Sequence, residues 1–168
     1  MMKRLLIIAT LFFVSFNAWS FEYAGVGLGP AIGLKGGDGT HCSVRGEWQP
    51  NRIVGTKVLF GVGNGFWMGV ALNFKQDLAK MFKSSHWDVD FSLPFLYNIT
   101  LDTRTAFLGL TVGTTFSFDL DGRGMYYLYL TPVEIWVMPF VWRQFPSHGW
   151  STSANISYVC TIGFRRAI

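Results

Sequence analysis

Charge is scarce in this sequence. Its 168 residues include 14 Lys and Arg, 10 Asp and Glu, and three His. The basic residues form no run or stripe of the kind that tracks a phosphate backbone, so nucleic-acid binding has no support. Cysteine is scarcer still: Cys42 and Cys160 stand alone, with no Cys-x-x-Cys and no His-x-x-x-His spacing. His41, His86 and His148 fall on separate segments, so no metal site and no cofactor are expected. A long clean hydrophobic run is also missing beyond the N-terminus. The nearest approach, residues 125–142, carries Pro132, Glu134 and Pro139 and is dense in Tyr, Val, Ile and Trp. Proline breaks helices and the other residues prefer strands, so this segment reads as strand and not as a membrane-crossing helix. There is no linker, no low-complexity tract and no repeat longer than a strand and its turn.

What the chain does have begins with a leader. Lys3 and Arg4 precede an apolar core over residues 5–14, and Ala18-Trp19-Ser20 places small residues at −3 and −1. That is the pattern of a signal peptide over residues 1–20, cut before Phe21. The core is short for a membrane span of about 20 residues. Its removal takes two basic residues and leaves 12 against 10 acidic ones, a net charge of +2. Residues 21–168 then form one domain, rich in glycine and aromatic side chains, a mixture that suits strands joined by tight turns.

The stretch Trp87-Asp88-Val89-Asp90-Phe91-Ser92-Leu93-Pro94-Phe95 shows how those residues are ordered. Odd positions are large and apolar, and even positions through Ser92 are acidic or hydroxylic. Strand side chains alternate faces with period 2, so the segment has one apolar wall and one wet wall. The alternation recurs over residues 21–35, 41–49, 52–62, 66–75, 86–97, 105–118, from 125 onward, and 153–164. Its parity slips at Thr131-Pro132, where a bulge would accommodate the proline. Turns are expected at 36–39, at Pro50-Asn51, at Asn64-Gly65, where Asn-Gly tolerates positive φ, and at 119–124. Leu78, Met81 and Phe82 have helical spacing, so residues 76–85 read as a short amphipathic turn. Residues 98–104 read as a polar loop and 139–152 as a long aromatic one. The sum is an all-β, eight-stranded, antiparallel up-and-down transmembrane barrel, with lipid outside and polar groups inside. At eight strands the interior is just filled by side chains.

The glycine-alternating segment Tyr23-Ala24-Gly25-Val26-Gly27-Leu28-Gly29 and the closing strand ending at Phe164 resemble the small outer-membrane barrels of the OmpA/OmpX type. The resemblance implies an outer-membrane location, contact with outer-membrane lipid and lipopolysaccharide, and recognition of the C-terminal strand by the barrel-assembly machinery. Such barrels usually finish on an aromatic residue. Here Arg165-Arg166-Ala167-Ile168 follow it, and Ile168 keeps the parity of Phe164. The resemblance also implies short internal turns and long external loops, against which residues 76–85 look long for an internal turn. A monomer is expected.

Parity puts Arg45, Glu47, Lys57, Lys75, Asp88, Asp90 and Glu134 on the inner face. Buried charge is tolerated only when partnered, so these seven are expected to form an ion-pair network that plugs the lumen and leaves no pore. His41 and Ser43 share one face two residues apart, and a His activating a Ser is nucleophile logic. Small barrel lipid A deacylases are similar in using a His-x-Ser arrangement, though theirs lies toward the C-terminal strands. His148, flanked by Ser147 and Ser151, is a second such place. The plainer expectation for both is a satisfied lumen pair and a surface loop, with no enzymatic activity. Trp142, Arg143 and Phe145 are the residues expected to make surface contacts, since aromatic and Arg side chains are common binding anchors. Cys42 and Cys160 point to lipid on strands that strand one separates, near opposite rims, and a disulfide needs Cα atoms within roughly 7 Å. Two free thiols are expected despite an oxidising compartment. Two alternatives remain: a lipid A-modifying hydrolase or acyltransferase barrel, and a soluble periplasmic barrel of lipocalin type. The latter would carry the Phe91 wall inside and the Asp88 wall in water.

Overall fold

The structure is a computed structural model that describes residues 22–35, 39–51, 53–63, 65–80, 85–99, 104–143 and 149–168. The leader, Met81, Phe82, Phe145 and His148 lie outside them. Eight strands follow in order: β1 (Tyr23–Lys35), β2 (Thr40–Gln49), β3 (Val54–Val62), β4 (Phe66–Lys80), β5 (His86–Ile99), β6 (Arg104–Asp119), β7 (Tyr126–Arg143) and β8 (Gly149–Ala167). Each pairs antiparallel with the next, and β8 returns to β1, so the sheet closes and no strand edge is left unpaired.

Alternation decides which side of the sheet meets what. On β2, Ser43, Arg45, Glu47 and Gln49 are buried while Val44 and Trp48 are exposed. On β5, Asp88 and Asp90 are buried while Leu93 and Phe95 are exposed. The outer wall is a continuous apolar band in which Val26, Leu28, Val70, Leu72, Phe95 and Phe164 are each about half exposed or more. Exposed apolar surface on that scale is not the surface of a water-soluble monomer. A lipocalin-type barrel needs the opposite polarity, and that alternative is set aside. Both thiols are free, Cys42 exposed and Cys160 partly so.

Three expectations about elements are corrected. Residues 76–80 are strand, not a helical turn: Gln76 pairs with Val89, Asp77 with Asp88, and, past a register shift, Ala79 with Trp87 and Lys80 with His86. Leu78 is the extra residue, and it is exposed. A bulge shifts parity by one, which mimics the start of helical spacing in a sequence. The connection between β4 and β5 therefore shrinks to residues 81–85. Within the expected loop 139–152, the described residues 139–143 and 149–152 are strand, not loop. Phe140 pairs with Thr152, Val141 with Ser151, Trp142 with Trp150 and Arg143 with Gly149. Pro139, which has no N–H to donate, sits at a register shift between Met138 and Phe140. Finally, β8 continues past Phe164 to Ala167. The parity slip near Thr131-Pro132 is present as a register shift between Thr131 and Glu134. At the turn after β6, Asp119 Oδ1 accepts from the N–H groups of Asp121 and Gly122 (3.1 and 3.0 Å), and Gly122 takes a φ of 67°.

Candidate functional site

The lumen is filled from opposite walls, and glycines make room for this. A Cβ on Gly27 would run into the Tyr129 ring and its hydroxyl, and one on Gly25 would meet Arg165 Cγ. Tyr129 and Arg165 thus lie against bare backbone on β1.

In the half nearer the chain termini the filling is ionic. Glu134 is one hub. Arg45 Nη1 donates to its Oε2 at 2.8 Å, and Lys57 Nζ and Thr111 Oγ1 donate to its Oε1 at 3.3 Å each. Arg45 also donates to Thr131 Oγ1 at 2.7 Å, and its Nε lies 2.8 Å from Glu47 Oε1. Glu47 is the second hub, because Arg165 donates to its Oε2 through Nε and Nη2 at 2.9 and 2.7 Å. Arg165 Nη1 donates to Ser117 Oγ at 2.9 Å and lies 3.7 Å from Asp88 Oδ2. Lys75 Nζ closes the chain at 2.5 Å from Asp88 Oδ2. Asp90 is held by the Thr115 hydroxyl at 2.8 Å and the Asn73 amide at 3.5 Å. The rings of Tyr23 and Tyr129 each lie 4.3 Å from the Arg165 guanidinium carbon, close enough for cation–π attraction in a desolvated site.

All seven residues that parity assigned to the inner face are buried here, and the structure brings them into one cluster. Arg165 is the member that sequence reasoning missed. It is among the largest fully buried side chains, and it joins Glu47 to Asp88. The signal was available in the parity of Thr161 and Gly163, which Arg165 continues. Ending the strand at its last aromatic concealed it. With Arg165 included the cluster is neutral: Arg45, Lys57, Lys75 and Arg165 face Glu47, Asp88, Asp90 and Glu134. A separate pair, His86 Nδ1 and Asp77 Oδ2 at 2.8 Å, lies where β4 and β5 extend beyond it.

The half farther from the termini is a different material. Leu59, Trp67, Ala71, Leu96, Trp136, Met138 and Val159 are buried inside it with Phe107 packed against them. The Trp67 and Trp136 rings meet edge to face, centroids 5.6 Å apart and planes at 77°. This corrects the expectation of a lumen polar throughout. Where both parities of a strand are apolar, as in Val58-Leu59-Phe60, alternation cannot report the inner face.

Among the described residues, the remaining candidates are not brought together: His41 and Ser43 share no hydrogen bond. Ser43 is buried and its hydroxyl donates to the Gly29 carbonyl at 2.8 Å, so its proton is committed to backbone. His41 is half-buried and its Nδ1 has no hydrogen-bond partner. Trp142 is half-buried and Arg143 exposed, both on the β7–β8 ladder at the rim and not on a free loop.

No protein-family model matches the chain, and no curated protein does. Solved structures do. The N-terminal β-barrel domain of Pseudomonas aeruginosa OprF superposes with a TM-score of 0.51 at 7% identity, covering 88% of this chain and 99% of that one. Neisserial surface protein A (NspA) gives 0.52 at 12% identity, covering 88% and 96%. Identity at this level speaks for the fold, which is the eight-stranded, OmpA/OmpX-like fold of outer-membrane barrels.

Proposed function

We propose that this chain is an integral outer-membrane barrel whose lumen conducts no ions, and that its role is structural or lies in contacts at its outer rim. The observation that carries the reading is the neutral ionic cluster enclosed by an apolar outer wall. Four cations and four anions, each buried, sit across the lumen where a conducting path would run. Seven of the eight lie within ion-pair distance of an opposite charge, and Asp90 is held by a hydroxyl and an amide. An ion crossing would have to displace groups whose charge is tolerable only in that arrangement.

In this reading the leader over residues 1–20 directs export, β8 is the segment presented to the assembly machinery, and lipid and lipopolysaccharide surround the apolar band. Trp142, Arg143 and Phe145 supply the rim contacts. The closed sheet leaves no edge for strand pairing between copies, which favours a monomer.

The test is to refold residues 21–168 in detergent and to record both a heat-dependent gel shift and current across a planar bilayer. A folded band that shifts on boiling, with no unitary conductance, is expected. Folding without detergent, or discrete conducting steps, would overturn the reading.

A further inference from the structure

We infer that the outer wall holds an anionic phospholipid at the rim nearer the chain termini, with its phosphate seated between Arg166 and Trp48. The inference rests on the outer-membrane reading, in which this rim faces the periplasmic leaflet, built of phospholipid. Four outward positions share one row of the ladder there: Tyr126 pairs with Arg166, Arg166 with Ala24, and Ala24 with Trp48. Each lies at or next to the end of its strand, and all four are exposed. Two residues farther in on the same face stand Phe164 and Val26, a cross-strand pair that is also exposed.

Trp and Tyr concentrate where hydrocarbon meets water, because each has an apolar body and a polar tip. The row therefore marks that boundary, and Arg166 is the cation on it. Its guanidinium carbon lies 5.9 Å from the centre of the Tyr126 ring, close enough for a cation–π attraction that holds the group in place. Among the described residues no carboxylate pairs with it: Glu22, exposed at the same rim, makes no ion pair, and the lumen acids are engaged on the other side of the sheet. The anion that lies at that depth is a lipid phosphate, which basic side chains beside a membrane recognise. Ala24 supplies the room. Neighbouring strands are about 4.8 Å apart, so the backbones of Arg166 and Trp48 stand roughly 10 Å apart with one methyl group between them. A guanidinium donates to phosphate oxygens as a fork, and the Trp48 indole N–H, which no described residue accepts, donates from the other side. The acyl chains then run over Val26 and Phe164. A zwitterionic lipid brings an ammonium that competes for its own phosphate, whereas phosphatidylglycerol carries the phosphate charge alone.

The probes are phosphatidylglycerol and phosphatidylcholine of equal chain length, titrated into the barrel refolded from residues 21–168 in non-ionic micelles. Native mass spectrometry counts the lipids retained. One phosphatidylglycerol is expected to bind about fivefold more tightly than phosphatidylcholine, the worth of one basic residue at an anionic surface. Arg166→Gln should remove that preference. Trp48→Phe, which keeps a ring and deletes the N–H, should weaken phosphatidylglycerol about threefold, as one modest hydrogen bond would. Millimolar inorganic phosphate, which has the anion without the chains, should leave the lipid bound. Equal retention of the two lipids, a preference unchanged in Arg166→Gln, or displacement by phosphate alone would each overturn the inference. The heat-dependent gel shift shows separately that each variant is folded, so a folded barrel that retains no lipid overturns this site and leaves the outer-membrane reading standing. If Arg166→Gln fails to fold, the lipid comparison and Trp48→Phe decide.

Discussion

Half of the lumen is held by ions and half by carbon. Both halves are built by the same rule, every second residue of eight strands turned inward, yet they fail differently. In the ionic half each side chain has named partners at stated distances, and removing one strands the others. In the apolar half contact is non-directional, so a lost side chain leaves a hole whose cost depends on how far its neighbours relax. The ionic half is thus a lock with few solutions. The apolar half tolerates looseness, and it contains a partly open cavity.

The largest effect is expected where the lock is most connected. Arg165 touches Glu47, Ser117 and Asp88. Arg165→Met keeps the volume and deletes the charge, leaving four buried anions to three cations. Removing one partner of a buried pair costs about 3–5 kcal/mol. Urea unfolding of the refolded barrel in micelles, followed by the gel shift, should show a loss of that order. A loss under about 1 kcal/mol, the size of an exposed pair, would mean that the cluster is wetter than its burial implies, and the comparison between the halves would weaken.

The apolar half should respond less. Leu96 is buried beside Trp67 and Trp136, but it already borders open space. Leu96→Ala is expected at the low end of the usual range, about 2 kcal/mol. The same urea series reads it. A cost matching that of Arg165→Met would show that the aromatic half is packed as tightly as a closed core.

How much of this could be read from sequence follows the same division. Ionic positions were legible because a charge on a strand of otherwise apolar parity can face only one way in a membrane barrel. Asp88 and Asp90 between Trp87, Val89 and Phe91 settle both their own side and their neighbours'. Leu59, Trp67 and Leu96 were not legible as lumen residues, since hydrophobic groups lie on both sides of the sheet there. Strand number and the parity slip at Pro132 were legible. The ends of β4, β7 and β8 were not. At Leu78 a bulge imitated a helix. At residues 139–143 a proline and a cluster of aromatics looked like a loop, although the β8 ladder supplies partners for that backbone. At Arg165 an aromatic seemed to close the strand one turn of parity early.

A paired substitution sharpens the contrast. Lys75 and Asp88 are fully buried and 2.5 Å apart. Lys75→Met alone leaves Asp88 with only the longer contact to Arg165, so a loss of about 3 kcal/mol is expected. Adding Asp88→Leu removes the stranded anion, and the double variant should return to within about 1 kcal/mol of the parent, because an apolar pair of similar volume often replaces a buried ion pair at little cost. The two changes should therefore be strongly non-additive. Additive losses would mean that Asp88 is stabilised chiefly by Arg165, and that the Lys75 contact closing the chain adds little to the lock.

The smallest effect is expected at the rim, which belongs to neither half. Trp142 and Arg143 end the β7–β8 ladder with outward or exposed side chains, and none of the buried ion pairs or lumen aromatics depends on them. Trp142→Ala and Arg143→Ala should each change unfolding free energy by about 0.5 kcal/mol or less, as surface substitutions usually do. The same variants should weaken adhesion of the barrel to lipopolysaccharide-containing vesicles if the rim makes contacts as proposed. Stability and adhesion are then separable. A variant that lost both would show that the rim holds the barrel mouth together, and a variant that lost neither would move the surface-contact role away from these two residues.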